Sequence, residues 1–480
     1  MWMRIMSIIN KYKNIPAPIK ASFWFLISSV LTAGIRFLVT PIYTRIMSET
    51  DYGTIGLFNA WQAALTVVVT LSLSAGVFSN GLLDFKEDKA RFASSILILS
   101  SISAGVWYII FLILKDSVLN ITNLSNLQMT IMFIGFLVNP ALGYWSAEQK
   151  FDYKYKGLTV VTVLTAMASQ IIAIIAVLHI SGDKATIVIV ISGLINIFVN
   201  SVIYIYILLR AKCSVNLRYW KYVLVFNLPL IPHYLSFFVL SQADRIMIAN
   251  IIGIDKAGIY TLGYTAASIL QIIYAAINSS LSPFTLKKMK EQKYKEIGKV
   301  ANYILIIYGV VSIMFISFAP EIISILAPPS YSEAMWIIPP VTIGLYFFVV
   351  TGFFTNIEFY HKKTVFIMIC TVGAALLNIL LNYIFIPMLG FIAAAYTTAI
   401  GYLVFMILHY LFMKKIESNS IYDIRFFIQV SIVFIAVSIF LMTLYNFLII
   451  RLIITCITFT ALFYKRRFIE QKIREMWILK

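Results

Sequence analysis

The chain has 480 residues, of which 61% are hydrophobic and only 12% charged, with a formal net charge of +18. Soluble domains average about 45–50% apolar and about 25% charged residues, so a set of water-soluble domains is excluded. The apolar residues fall in runs of about 18–25, the length a helix needs to cross a ~30 Å hydrocarbon core. They lack the sustained period-2 alternation of an outer-membrane barrel.

In chain order, spans are expected near 21–42, 53–80, 92–114, 128–147, 158–180 and 185–209. A second series follows near 222–241, 258–282, 300–319, 334–356, 364–386 and 391–411, with a final pair near 426–445 and 447–464. The expected fold class is an all-α integral membrane protein of about 14 transmembrane helices. Two parallel six-helix repeats, residues 1–213 and 214–415, precede a terminal helix pair with a basic tail, 416–480.

The basic residues give the orientation. Short cytoplasmic connections carry excess Lys and Arg. With a cytoplasmic N-terminus, 31 of the 38 Lys and Arg residues fall inside, six outside (Arg45, Lys115, Lys184, Arg245, Lys256, Arg451), and Arg36 alone within a span. Both termini are therefore expected in the cytoplasm. The net charge is this asymmetry summed over eight inner segments, reinforced by anionic headgroups, and no nucleic-acid partner is implied. No cleavable signal peptide is evident, since residues 1–20 lack an apolar core with a small-residue cleavage site. Three scattered cysteines, Cys213, Cys370 and Cys456, suit neither a disulfide framework nor a metal site. The four histidines are likewise scattered, so neither a metal nor another cofactor is expected.

An internal repeat supports the division into halves. Arg45-Ile46-Met47 after span 1 is echoed by Arg245-Ile246-Met247 after span 7, and Asp51 to Gly53 by Asp255 to Gly258. Glu148 and Glu358 sit at the inner ends of spans 4 and 10, each followed by aromatics and lysines. Six spans per repeat is an even number, so both halves share one orientation, as in transporters that hold substrate between their halves and alternate access by rocking.

Several stretches carry a family resemblance. Thr40-Pro-Ile-Tyr-Thr-Arg-Ile-Met-Ser-Glu-Thr-Asp-Tyr-Gly53 resembles the first-loop signature of bacterial polysaccharide flippases. Leu228-Pro-Leu-Ile-Pro-His233, Asp244-Arg245, Ala319-Pro-Glu321, Tyr331 and Tyr360-His-Lys-Lys-Thr364 resemble later landmarks in the same order, as do Asn378, Asn382, Pro387 and Gly390. The family is the lipid-linked oligosaccharide flippases (O-antigen and capsule repeat-unit translocases) of the multidrug/oligosaccharidyl-lipid/polysaccharide exporter superfamily. The resemblance implies a multi-pass protein of the bacterial inner membrane, without enzymatic activity. It moves an undecaprenyl-diphosphate-linked oligosaccharide across the bilayer, alongside other polysaccharide-assembly membrane proteins.

Such a substrate needs cations for its diphosphate and amide or aromatic surface for its sugars, because unsatisfied polar groups in hydrocarbon cost several kcal/mol each. Arg36 lies inside span 1, on a stripe with Ser29, Thr32, Thr40 and Tyr43, and an intramembrane arginine faces a cavity or a partner rather than lipid. The sequence offers no counter-ion within the spans, so Arg36 either holds the diphosphate or is satisfied by carbonyls near Pro41. Arg45 and Arg245 are further diphosphate candidates, or else helix caps or partners of Asp51, Asp244 or Asp255. Span 8 carries Tyr264, Gln271, Tyr274 and Asn278 beside Tyr260 on one face, and span 2 carries Asn59, Trp61 and Gln62. These line a glycan cavity or else serve interhelical bonding and the interfacial belt. Asn378 and Asn382 read as interhelical glue. Pro229 and Pro232 break span 7, as a hinge or a static kink.

Two other functions use the same features. A drug/cation antiporter of the same superfamily needs a buried carboxylate, which the spans are expected to lack. A lipid-dependent glycosyltransferase would use Glu49-Thr-Asp51, a triplet that also reads as the capped start of span 2.

Overall fold

The computed structural model describes residues 16–455 apart from Ala75, and among these no strand occurs. Arg4, Lys11, Lys13, Cys456, the end of the last expected span and the basic tail lie outside the described residues. Twelve of the described helical segments are long and apolar enough to cross a membrane. Two of the fourteen expected spans, 53–80 and 447–464, are not among these twelve. Span 2 is a 21-residue helix, Glu49–Val69, that breaks before a short helix, Val77–Asp84. The last span starts as a helix at 448 and continues to the end of the described residues.

The chain divides into two compact units, Met1–Phe238 and Val239–Lys480. The first begins with α1 (Ala17–Ile46), α2 (Glu49–Val69) and α3 (Val77–Asp84). It continues with α4 (Lys89–Ile113), α5 (Lys115–Thr122), α6 (Asn126–Val138), α7 (Pro140–Phe151), α8 (Tyr155–His179), α9 (Lys184–Arg210) and α10 (Leu217–Asn227). Helix α1 packs on α8, α8 on α9, and α9 on α6 and α7.

Local chemistry sets the breaks. Ser48 caps α2 in a reciprocal box with Asp51, each side chain bonding the other's backbone N–H. The Glu49-Thr-Asp51 triplet is thus part of a helix start. After Val69 the backbone of Leu71 and Ser72 turns left-handed, at φ 55° and 47°. The Leu71 carbonyl freed by that turn accepts a hydrogen bond from Asn227 Nδ2. Beyond it, Phe78, Phe92 and Tyr144 form a buried aromatic cluster, and the Tyr144 hydroxyl meets Ser100 Oγ at 2.6 Å. Near the ends of α7 and α9, Arg210 donates to the buried Glu148 at 2.7 Å.

The break expected at Pro229 and Pro232 is a 3₁₀ turn, Leu228–Leu230, leading into α11 (Ile231–Ile251). Proline supplies no N–H to an α-helical ladder, so the chain tightens there. The boundary between the units falls within α11.

The second unit continues with α12 (Ile254–Ala267), α13 (Ile269–Lys290), α14 (Tyr294–Ser317), α15 (Ala319–Leu326) and α16 (Ile338–Tyr360). Then follow α17 (Thr364–Leu389), α18 (Ala393–Ile416) and α19 (Ile424–Thr443). Helix α16 is the core: nearly all of its residues from Ile338 to Glu358 are buried, whereas much of α1 is exposed or half-buried. A helix apolar all round belongs inside, and its glycines admit close neighbours. Gly344 sits against Ala399 and Tyr402, and the Tyr274 hydroxyl occupies the space a Cβ on residue 352 would need.

The terminal helices are tied to this unit by Arg451. Its guanidinium meets Glu321 at the start of α15 through two bonds of 2.8 and 2.7 Å. It also donates to the carbonyls of Ser317, Leu444 and Tyr445. Arg451 was expected on an outer connection; it is buried instead, with 2% of its surface exposed.

Candidate functional site

Two polar assemblies stand out, one in each unit. In the first unit, Arg36 is exposed midway along α1 and has no hydrogen bond or ion pair among the described residues. Its helical neighbours divide. Thr32 Oγ1 donates to the Ser28 carbonyl at 2.8 Å and Thr40 Oγ1 to the Arg36 carbonyl at 3.0 Å, so their hydroxyls close on their own helix. Thr40 and Tyr43 are buried, and Tyr43 donates to Gln170 Oε1 of α8 at 3.0 Å. Pro41 leaves the helix unbroken, and its carbonyl accepts a hydrogen bond from Arg45 Nη1 at 2.9 Å. Arg36 itself bonds none of the carbonyls near Pro41 among the described residues. On α2, Asn59 is exposed and Gln62 and Trp61 half-buried. The Trp61 Nε1 is a buried donor without a partner among the described residues.

The second unit corrects the expectation that the spans lack carboxylates. Helix α11 does not stop near residue 241 but runs to Ile251, and carries Asp244 inside the bundle at 0% exposure. The carboxylate is held by donors from three other helices. Tyr260 Oη of α12 and Thr398 Oγ1 of α18, at 2.7 Å, bond Oδ2, while Asn382 Nδ2 of α17 reaches Oδ1 at 2.7 Å. Asn378 and Thr397 complete the network, so the two asparagines do join helices. A buried charge persists in apolar surroundings only when its lone pairs are occupied in this way.

Arg245 follows Asp244 and is also buried, where it was expected to leave the helix end. Its guanidinium donates to the Ser241 carbonyl at 3.0 Å and lies 4.4 Å from the centre of the Tyr264 ring. Arg45 and Arg245 thus each reach back to a carbonyl four residues earlier, although only Arg45 stands at a helix end. Of the remaining residues on the α12–α13 face, Tyr274 is buried with its ring edge-on to Phe348, Gln271 is half-buried, and Asn278 accepts from Asn356 at 3.3 Å.

Glu358 is a second buried acid, near the end of α16. Its Oε2 lies 2.7 Å from His409 Nδ1, and both residues are 0% exposed. His361 and Glu417 pair at 3.1 Å. These two histidines have carboxylate partners that their sequence positions do not reveal, yet among the described residues no cluster of three or more His, Cys, Asp or Glu forms a metal site. On the short helix α15, the Glu321 carboxyl is held below the usual carboxylate range by the Arg451 guanidinium.

Comparison with known proteins gives this architecture a family. The model of the family described as "Polysaccharide biosynthesis protein" matches residues 19–289. The chain is 22% identical over 286 residues to the Lsg locus putative protein 1 of Haemophilus influenzae, covering 57% of this chain and 67% of that protein. Its fold matches that of the lipid II flippase MurJ in an inward closed conformation with a TM-score of 0.69 at 16% identity, over 94% of this chain and all of the other. An inward-facing multidrug resistance MATE family transporter of the MOP superfamily follows at a TM-score of 0.63 and 14% identity, over 81% and 94% of the two chains. This chain belongs to the polysaccharide biosynthesis protein family: it is a multi-pass protein of the bacterial inner membrane, built on the fold shared by flippases and exporters of the MOP superfamily.

Proposed function

We propose that the protein translocates an undecaprenyl-diphosphate-linked oligosaccharide across the inner membrane by alternating access, for O-antigen or capsule assembly. The family and the flippase fold support a lipid-linked substrate. The observation that carries the finer reading is Arg36, an exposed cation within an apolar helix that has no partner among the described residues. Facing lipid, that charge would be costly. Facing a passage, its planar fork suits two phosphate oxygens at once. Asn59, Gln62 and Trp61 of α2 then offer amide and aromatic surface to the sugars, with Thr32 and Thr40 beside the arginine. Gln271, Tyr274 and Asn278 serve the same purpose in the second unit. Arg45 is the second candidate for the diphosphate. Arg245, stacked on Tyr264, is exposed to substrate only if that contact opens. Residues 1–213 and 214–415 act as parallel repeats that rock about the break at Pro229 and Pro232.

One observation favours a second reading, a drug/cation antiporter, because Asp244 provides the buried carboxylate such exporters need. Its three protein donors and the neighbouring Arg245 argue for a structural role in this conformation. Deleting the gene and restoring it as wild type or Arg36→Ala separates the readings. Surface polymer should return with wild type and fail with a well-expressed Arg36→Ala protein. Unchanged polymer in the deletion, together with increased sensitivity to cationic drugs, would favour the antiporter.

A further inference from the structure

A cavity of about 480 Å³ opens where the first turns of α14 meet the segment leading into α19. Three cations line it: Lys295 and Lys299 from α14 and Arg425 from the first turn of α19. All three are exposed, and none has a hydrogen bond or ion pair among the described residues. Lys295 and Lys299 stand four residues apart on one helix face, a spacing at which like charges repel. The acids nearby do not neutralise them. Asp423 accepts the Phe426 N–H at 3.1 Å as the cap of α19, and Glu291 and Glu296 are engaged by Lys288 and Lys293.

The cavity is built into the packing. Gly298 lets α14 approach so closely that a Cβ there would lie 2.2 Å from the Ile421 carbonyl oxygen. Next to it, the buried Tyr422 donates its hydroxyl to the Phe353 carbonyl at 2.8 Å. Both walls are therefore fixed, one by a helix and the other by a loop anchored to the core helix α16. Asn302, also in the lining, is half-buried and its Oδ1 has no partner among the described residues. Oxygen and nitrogen of such an amide are interchangeable by a flip, so Asn302 has donors to offer an anion.

We infer that this cavity binds a phosphate group, carried by the headgroup of an anionic membrane lipid or present as free phosphate. Three unpartnered cations and a free amide around one concavity supply what phosphate oxygens require. Basic pockets between transmembrane helices on the cytoplasmic side hold anionic headgroups by this means. The basic loops place this end of the bundle on that side. The site joins α14 to α19, so an occupant would tie the terminal helices to the second unit independently of the Arg451–Glu321 pair.

The test uses purified full-length protein, stripped of lipid in detergent and titrated separately with phosphatidylglycerol, phosphatidylcholine and inorganic phosphate. Lipid adducts are read by native mass spectrometry and phosphate by thermal unfolding. Wild type should prefer phosphatidylglycerol to phosphatidylcholine. With each cation contributing on the order of fivefold, the triple variant Lys295→Gln/Lys299→Gln/Arg425→Gln should bind it roughly a hundredfold more weakly. Stabilisation of wild type by inorganic phosphate alone, lost in the triple variant, would also support the site and assign it to the soluble ion. A control triple variant, Lys362→Gln/Lys414→Gln/Lys415→Gln, changes basic residues outside the cavity and should bind as wild type does. The inference is overturned if the cavity variant binds both anions like wild type, if the control loses as much, or if wild type prefers neither anion to phosphatidylcholine.

Discussion

Arg451 grips Glu321 with both arms of its guanidinium, at 2.8 and 2.7 Å, across 130 residues of sequence. The arginine is buried and the acid about one third exposed, so removing the acid strands a charge that three carbonyls only partly satisfy. Glu321→Gln should destabilise the solubilised protein by on the order of 2 kcal/mol at neutral pH. The pH dependence has a definite sign. The folded carboxyl titrates below its ordinary value of 4.5, so the pair's contribution is complete above that value and is lost as the pH falls through the lower, folded one. Thermal unfolding of wild type and Glu321→Gln should differ by a constant amount between pH 6 and 8 and converge as the pH falls below 4.5 and through the lower, folded value. A gap that persists under acid conditions would mean the charge is not what stabilises the contact.

Asp244 should tolerate truncation poorly. Alanine there leaves the Tyr260 and Thr398 hydroxyls and the Asn382 amide without their acceptor, and Arg245 without its adjacent counter-charge. A loss of about 3–5 kcal/mol is expected, seen as reduced membrane abundance and a lowered unfolding temperature. Normal stability of Asp244→Ala would show that the network is replaceable by water, and would strengthen the case for a transport role of this carboxylate.

Close packing on α16 gives a steric prediction. In Gly352→Ala the new methyl would lie 1.6 Å from the Tyr274 hydroxyl, so one side must move, at about 1–3 kcal/mol. Tyr274→Phe in the same protein should recover part of that loss, as measured by thermal unfolding. No recovery would place the strain elsewhere.

Sidedness rests on the basic loops and can be read from one thiol. Cys213 is exposed and Cys370 buried. In a Cys456→Ala background, a membrane-impermeant maleimide should label Cys213 in inside-out vesicles and leave it unlabelled in intact cells. Labelling of intact cells would reverse the orientation.

The helices were legible because membrane insertion depends on properties summed along the chain: run length, apolarity and basic flanks. The capped start of span 2 at Glu49-Thr-Asp51 was legible because it is local, although its partner Ser48 was not singled out. What escaped is non-local. The Asp244-Arg245 pair reads as the polar exit of a span, and only Tyr260, Asn382 and Thr398, brought in from three other helices, make an interior position tolerable. Arg451 reads as a loop residue until Glu321 is placed against it, and His409 as isolated until Glu358 is. Span 2 reads as continuous to residue 80, since the turn at Leu71 is met by a distant partner, the Asn227 side-chain amide, whose Nδ2 donates to the freed Leu71 carbonyl. Arg36 was conspicuous in sequence because one charge interrupts an otherwise apolar helix, and the fold leaves it without a partner among the described residues.

Translocation itself is the central claim, and reconstitution measures it most directly. The purified protein is placed in liposomes with a fluorescent polyprenyl-diphosphate oligosaccharide in both leaflets, and a membrane-impermeant quencher is added outside. Without translocation only the outer half of the signal is lost. Wild type should allow nearly complete quenching over time, Arg36→Lys should slow it, and Arg36→Ala should leave the inner half protected. If wild-type vesicles quench no further than protein-free ones, with the protein folded and both orientations present, the proposal that this chain moves lipid-linked oligosaccharides is contradicted.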